Sequence, residues 1–171
     1  IQSMDLFIAR RGDGIRLWQS STAVVEGNHL IGGRDAVFWF TDKITVRRNH
    51  VEDGRYGLHF MYSDGATVEE NLLEHNSVGA FLMYSTDLVV SGNIFRSNRG
   101  PSGYGLGIKD VDGLKANKNH FVENRSGLYV DNSPSKVGVS HNIEENVFAF
   151  NNIGAMLGST VARNTFTGNA F

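Results

Sequence analysis

The sequence predicts an all-β fold, a right-handed single-stranded parallel β-helix of about seven coils with about 22 residues each. The first observation is compositional: 20 glycines, only two prolines and short apolar runs without a helical period favour many short strands joined by tight turns. The second is an internal repeat of that length. The third is a set of asparagines at a matched point of every repeat, because an asparagine tolerates left-handed backbone at a turn and can bond its own kind one coil away.

The repeat is clearest when each line starts at a small residue. The seven starting residues are Gly14, Ala36, Gly57, Gly79, Gly105, Gly127 and Gly154. Their spacings are 22, 21, 22, 26, 22 and 27, so insertions fall at turns. The asparagine column comprises Asn28, Asn49, Asn71, Asn93, Asn119, Asn146 and Asn164, and a core-sized residue follows each of them by two positions, ending with Phe148 and Phe166. Leucine-rich repeats have a similar period, but "GLHFMYSDGATVEEN" does not supply their leucine pattern.

Length and charge place limits on the class of protein. A chain of 171 residues has the length of one domain, and we expect residues 1–171 to be a single β-helix, a fragment of a longer solenoid without end caps. The net charge of −2 gives no basic footprint for nucleic acid, so we expect no such partner. No apolar run approaches the roughly 20 residues needed to span a bilayer, which predicts a protein that does not itself cross a membrane.

The first strand of each repeat is predicted to bury the positions one and three after the starting residue, since these are apolar in every line. Positions two and four then face outward, where Phe, Met, Trp and His recur on consecutive coils. Contiguous exposed apolar surface usually marks an interaction site, although another segment of the same chain could also cover it. We therefore predict a partner-binding face; its expected members are Trp18, Phe38, Phe40, Tyr62, Phe81, Tyr84 and Tyr129.

A histidine and two methionines lie within this face. His59 and Met61 are two residues apart on one predicted strand, and Met83 is expected beside Met61 on the next coil, about 4.8 Å away. Thioether and imidazole ligands together favour copper, particularly Cu(I), over calcium or magnesium. The three residues are thus a candidate site for transient copper contact, with adaptable packing at an interface as the alternative.

The acidic residues further along the chain offer a different chemistry. Lys109, Asp110, Asp112 and Asp131 are predicted to lie on neighbouring coils. A lyase, glycosidase or epimerase of the β-helix type needs such carboxylates over a sugar-binding groove, so the four residues form an alternative saccharide site. An outward Lys and Asp on adjacent strands also form ordinary cross-strand ion pairs.

Several segments taken together carry a family resemblance, among them "GRYGLHFMYSDGATVEEN", "SVGAFLMYS", "NRGPSGYGLGIKDVDG" and "GLYVDNSP". In this order and over essentially the whole chain, the sequence resembles the NosD family of periplasmic β-helix proteins. The resemblance implies a non-catalytic role beside the ATPase and membrane subunits of an ABC-type transporter, assisting assembly of the copper–sulfide centre of nitrous-oxide reductase. The outward face would then dock a copper chaperone or the reductase. A repeat scaffold that packs against its own chain is a third interpretation.

Overall fold

The computed structural model describes residues 6–159 and 163–171 and is a parallel β-solenoid of about seven turns, which confirms the predicted fold class. Each turn contributes one strand to each of three parallel sheets, except that the last described turn adds no strand to the third sheet. Sheet 1 contains, in spatial order, β1 (Ile15–Trp18), β4 (Asp35–Trp39), β7 (Tyr56–Met61), β10 (Val78–Met83), β13 (Tyr104–Lys109), β16 (Ser126–Asp131) and β19 (Ile153–Leu157). A 3-10 helix, Ile8–Arg10, is the one helix among the described residues.

The other two sheets complete the coil. Sheet 2 contains β2 (Val24–Glu26), β5 (Thr45–Arg47), β8 (Thr67–Glu69), β11 (Val89–Ser91), β14 (Lys115–Asn117), β17 (Ser140–Glu144) and β20 (Arg163–Thr167). Sheet 3 contains β3 (His29–Ile31), β6 (His50–Glu52), β9 (Leu72–Glu74), β12 (Ile94–Arg96), β15 (His120–Val122) and β18 (Val147–Ala149). Because each strand pairs with its counterparts one coil away, residues at one position of the repeat form columns along the solenoid.

Columns of like side chains hold the coils together. Asn71 donates its side-chain amide to Asn93 Oδ1 at 2.9 Å, and Asn93 donates to Asn119 Oδ1 at 3.0 Å. A second ladder on the other side of sheet 3 includes Asn98 and Asn124, again 3.0 Å apart. Four phenylalanine rings stack from Phe95 to Phe171, and the first three of them are buried inside the solenoid. The predicted asparagine ladder and aromatic column are therefore real structural units.

The last repeat departs from the predicted alignment. Asn146 bonds to Asn169 rather than to Asn164, and Phe148 stacks on Phe171 rather than on Phe166. Asn164 instead pairs in register with His141 on sheet 2. The predicted ladder and core positions were thus five residues too early in this repeat, because Asn164 with Phe166 and Asn169 with Phe171 show the same Asn-x-Phe spacing.

The small residue that begins most repeats is required by a close backbone approach. A Cβ atom on Gly105 would lie 2.6 Å from the carbonyl oxygen of Gly127 on the next coil. That separation is below any normal contact between carbon and oxygen, so the strand start has no room for a side chain. The column of glycines is therefore a packing requirement of the coil.

The second repeat begins one residue earlier than predicted. Ala36 pairs with Ile15, so the position equivalent to Gly14 is Asp35, and a bulge lies between β4 and β7 where Val37 pairs with His59. Alternation along β4 is shifted by one residue as a consequence. Phe38, expected to face outward, is fully buried in the core against Phe60, and its predicted place on the partner-binding face was wrong.

Candidate functional site

The outer face of sheet 1 carries most of the predicted site residues. One outward column runs through Trp18, Trp39, Met61, Met83 and Lys109, each in register with the next. Trp39 was expected inside, but the shift in β4 turns it outward, 5.7 Å from Trp18 between ring centroids. The column thus carries tryptophan on its first two coils, methionine on the next two and a charged residue on the fifth.

The residue that follows each of these strands has left-handed backbone. At this corner Phe40, Tyr62 and Tyr84 have φ values of 54°, 53° and 52°. Their rings stack with centroids 5.1 Å apart in each pair, and we call these three residues the corner stack. Phe40 and Tyr62 remain 44% and 46% exposed, and Trp18 meets Phe40 edge-on at 5.2 Å. The corner stack is accordingly an exposed aromatic ridge, as expected for a partner-binding surface.

Phe81 and Tyr129 were also predicted to bind a partner, and they lie on the same face but are half-buried. Phe81 lies edge-on to Tyr56 at 5.7 Å, and Tyr129 stacks on Tyr104 at 4.3 Å. Neighbouring aromatic rings therefore cover part of each side chain. Both residues continue the aromatic surface away from the corner stack.

His59 lies on the outer side of sheet 1 but is only 6% exposed, because aromatic neighbours cover it. Trp39 and Tyr56 meet its ring edge-on, with centroids 5.6 and 4.9 Å away. Its Nδ1 atom lies 3.5 Å from Oδ2 of Asp35. Among the described residues neither ring nitrogen has a hydrogen-bond partner of normal geometry, which leaves Nε2 buried and unused. An orphaned imidazole nitrogen of this kind is suited to hold a ligand.

Asp35 supplies the negative charge beside this histidine. It is 3% exposed and pairs with Arg55, whose Nε donates to Oδ1 at 2.9 Å. Burial raises the pKa of Asp35, but the interactions with His59 and Arg55 outweigh burial and lower the pKa to about 2. The carboxylate is therefore ionised at neutral pH. A carboxylate on one ring nitrogen fixes the orientation of a histidine and strengthens the other nitrogen as a metal ligand.

The two methionines meet across the strands. Met61 and Met83 are register partners on β7 and β10, and both are half-buried. Met61 follows His59 by two residues, so both side chains leave the same face of β7. The donor set of one imidazole with two thioethers matches the preference of Cu(I). The orphaned Nε2 of His59 and this soft donor set fit copper.

The residues of the alternative saccharide site are each engaged elsewhere. Lys109 Nζ lies 2.9 Å from Oδ2 of Asp131, and the amide of Asn132 donates to Asp110. Asp112 is nearly buried and accepts the backbone N–H groups of Ser135 and Lys136 at 2.8 and 3.0 Å. Burial raises the pKa of Asp112, yet these hydrogen bonds lower it overall. Such pairing is typical of a structural role and leaves the sugar interpretation without a free acid and base pair among these four residues.

A cluster missed by the sequence analysis lies on the outer face of sheet 3. His29 and His50 stack with ring centroids 4.3 Å apart, and Glu52 lies beside both. The ligand atoms of these three residues lie within 4.8 Å of one another. A signal was present, because each histidine directly follows an asparagine of the ladder, 21 residues apart. The partner glutamate comes from a different position of the repeat, which a column-by-column alignment does not connect.

Comparison with known proteins bears on the chain as a whole. In the part of the chain that the structure describes, no helix is long and apolar enough to cross a membrane. A search of curated proteins gives no significant match. A sequence model for the family described as periplasmic copper-binding protein (NosD) matches residues 1–171. Since this match covers every repeat, the chain belongs to the NosD family.

Proposed function

We propose that the chain is a non-catalytic accessory scaffold of the periplasm that assists assembly of the copper–sulfide centre of nitrous-oxide reductase. Family membership supports a periplasmic, copper-related accessory role. The partnership with the ATPase and membrane subunits of an ABC-type transporter, with a copper chaperone and with the reductase is part of the proposal. In this proposal the outer face of sheet 1 contacts copper and docks the partners.

The observation that carries the proposal is the buried, orphaned Nε2 of His59 on the same face of sheet 1 as the register partners Met61 and Met83. His59, Met61 and Met83 would hold Cu(I), which is cargo in this role. Asp35 would orient the His59 ring from the Nδ1 side, so that Nε2 is the nitrogen left to contact a metal. Trp39 and Tyr56 would exclude water around the imidazole. Thioethers are soft, uncharged ligands for Cu(I), so a partner with stronger ligands could take the ion from them.

The corner stack is proposed as the docking ridge next to this site. The rings of Phe40, Tyr62 and Tyr84 stack face to face, so their edges are turned to the solvent. Edges of exposed aromatic rings suit burial in a protein groove, whereas stacking on a sugar requires a free ring face. Trp18, Phe81 and Tyr129 would extend the contact along the sheet.

Copper titration tests the ligand assignment. Cu(I) affinity of the purified protein should be measured by competition with a chromogenic chelator, and compared with the variant His59→Ala/Met61→Ala/Met83→Ala. We expect a loss of roughly tenfold or more. Met156→Ala is the matched control, because Met156 is 45% exposed on the same face of sheet 1 at β19. Equal Cu(I) affinity of the wild type and the triple variant would reject the assignment.

Partner capture tests the docking assignment separately. Immobilised wild-type protein should retain the purified reductase, copper chaperone or transporter subunits, and Phe40→Ser/Tyr62→Ser/Tyr84→Ser should lose that retention. Phe150→Ser is the control, since Phe150 is 82% exposed and has the same left-handed backbone at another corner. Retention of the partners by the triple variant would exclude the corner stack as the docking ridge, whatever the copper result.

A further inference from the structure

We propose a second metal site, for a borderline divalent cation such as Zn²⁺ or Cu²⁺, formed by His29, His50 and Glu52 on the outer face of sheet 3. The residues come from β3 and β6 at one end of the described solenoid. The proposal does not depend on the copper assignment, because His59 and the methionines belong to a different sheet.

The distances between donor atoms suit one ion. His29 Nε2 lies 2.8 Å from Glu52 Oε1, and His50 Nε2 lies 4.0 Å from the same oxygen. In a tetrahedral site with bonds near 2.0 to 2.1 Å, donor atoms are about 3.3 Å apart. Shifts of less than about 1 Å in long, half-exposed side chains would therefore bring the three donors onto one ion.

The arrangement also favours a cation electrostatically. The parallel His29 and His50 rings, with an interplanar angle of 7°, would repel each other if both were protonated. A metal between their nitrogens and Glu52 satisfies the same donors with neutral imidazoles. Stacking keeps the two rings side by side, which limits the reorganisation needed on binding.

Glu52 is the more available of the two glutamates. Glu74 Oε1 lies 2.8 Å from His50 Nε2, and Glu74 Oε2 pairs with the guanidinium of Arg96. Within the described residues, the ion-pair partners of Glu52 are His29 and His50, so no Lys or Arg neutralises it. A carboxylate without a Lys or Arg partner gains more from a bound cation than one that is already paired with a guanidinium.

The donor chemistry selects the class of ion. Two imidazole nitrogens and a carboxylate oxygen suit Zn²⁺ and Cu²⁺, whereas Cu(I) prefers sulfur. Three protein ligands leave a fourth position for water or for a group from another molecule. The site would thus take a divalent ion, whereas the proposed copper face would take Cu(I).

The test is metal binding by the purified, EDTA-treated protein. Isothermal titration with ZnCl₂ and, separately, CuCl₂ should give one site on sheet 3 that is weakened on the order of tenfold or more in His29→Ala/His50→Ala. Glu52→Gln, which preserves shape and removes the charge, should weaken binding as well. The matched control is His120→Ala, because exposed His120 occupies the same column, while Ala149 holds the position that Glu52 has relative to His29.

Spectroscopy and melting separate a metal site from a structural role. Bound Cu²⁺ should show nitrogen superhyperfine splitting from two imidazoles, and Zn²⁺ should raise the melting temperature of the wild type and of His120→Ala only. A Zn²⁺-specific response without Cu²⁺ binding, or the reverse, would identify which ion the site takes. Unchanged affinity in both the double variant and Glu52→Gln, or no binding by the wild type, would overturn the proposal.

Discussion

The Nδ1 atom of His59 lies 3.5 Å from the carboxylate Oδ2 of Asp35, one coil away, and both side chains are buried. The two residues thus lie side by side on the outer side of a sheet, and aromatic rings cover the histidine. Because Arg55 pairs with the same carboxylate, this cluster links three charged or titratable side chains across β4 and β7. Its energetics should be visible in the acid stability of the protein.

Asp35→Asn should make the protein less stable at neutral pH and should weaken the dependence of its stability on pH in acid. The folded-state pKa is about 2 against an ordinary value of 3.8, so the carboxylate contributes fully above the ordinary value and loses its contribution as pH falls towards 2. We expect the variant to lose about 2 kcal/mol of unfolding free energy at pH 7 and to flatten the acid dependence. Urea denaturation from pH 5 to 2 measures both. Asp131→Asn, at a more exposed ion pair, should change stability by less than about 1 kcal/mol, and an equal effect would contradict the assignment.

His141 should control stability in a higher pH window. It is fully buried, and burial lowers its pKa to about 4, against a weaker opposing effect of Asp112. The unfolded chain binds the proton at higher pH than the folded one, so unfolding free energy should fall as pH decreases from 6.5 towards 4. The loss should reach up to about 3 kcal/mol.

The matched variants for this test are His141→Asn and His120→Asn. An asparagine oxygen can still accept the N–H of Leu114, which donates to His141 Nδ1 at 3.0 Å. His141→Asn should therefore fold and lose the pH dependence between 6.5 and 4, whereas the exposed His120→Asn should retain it. A wild-type slope that survives in His141→Asn would assign the dependence to another group.

Tyr62 should respond to glycine and alanine in an unusual order. Its φ of 53° is left-handed, where glycine is unstrained and alanine is not. Both substitutions remove the ring from the corner stack, so Tyr62→Gly should be about 0.5 to 1 kcal/mol more stable than Tyr62→Ala. At the preceding residue Met61, in extended strand, the order should reverse. Chemical denaturation of the four variants measures both differences, and the same order at both positions would refute the backbone explanation.

Asn93→Ala should be among the most destabilising single substitutions. Asn93 is fully buried; it accepts the amide of Asn71 and donates to Val68 O and to Asn119, each within 3.0 Å. Alanine leaves several buried donors and acceptors unpaired, which should cost about 3 kcal/mol or more. Asn28→Ala, at the exposed end of the same ladder, should cost about 1 kcal/mol. Equal costs in urea denaturation would show that the ladder is not a buried network.

The repeat period, the ladders and the stacked core were readable from the chain because each depends on like residues recurring at one interval. A parallel coil places such residues directly above one another, so spacing alone predicts contact. The same reasoning placed His59, Met61 and Met83 on one face, but it did not predict the corner stack, because it aligned Phe40 with Met61 instead of Tyr62. It failed at Phe38, since a bulge of one residue between β4 and β7 reverses the alternation without leaving a turn signal.

The sequence by itself determined the solenoid, because period and side-chain column are local properties that repeat along the chain. Only the tertiary structure decided that Trp39 and Tyr56 cover His59, that Asp35 lies beside it, and that His29 meets Glu52 across neighbouring coils. Those contacts are diagonal: they join different positions of different repeats. Their distances depend on bulges and rotamers, which the periodicity of a one-dimensional pattern does not encode.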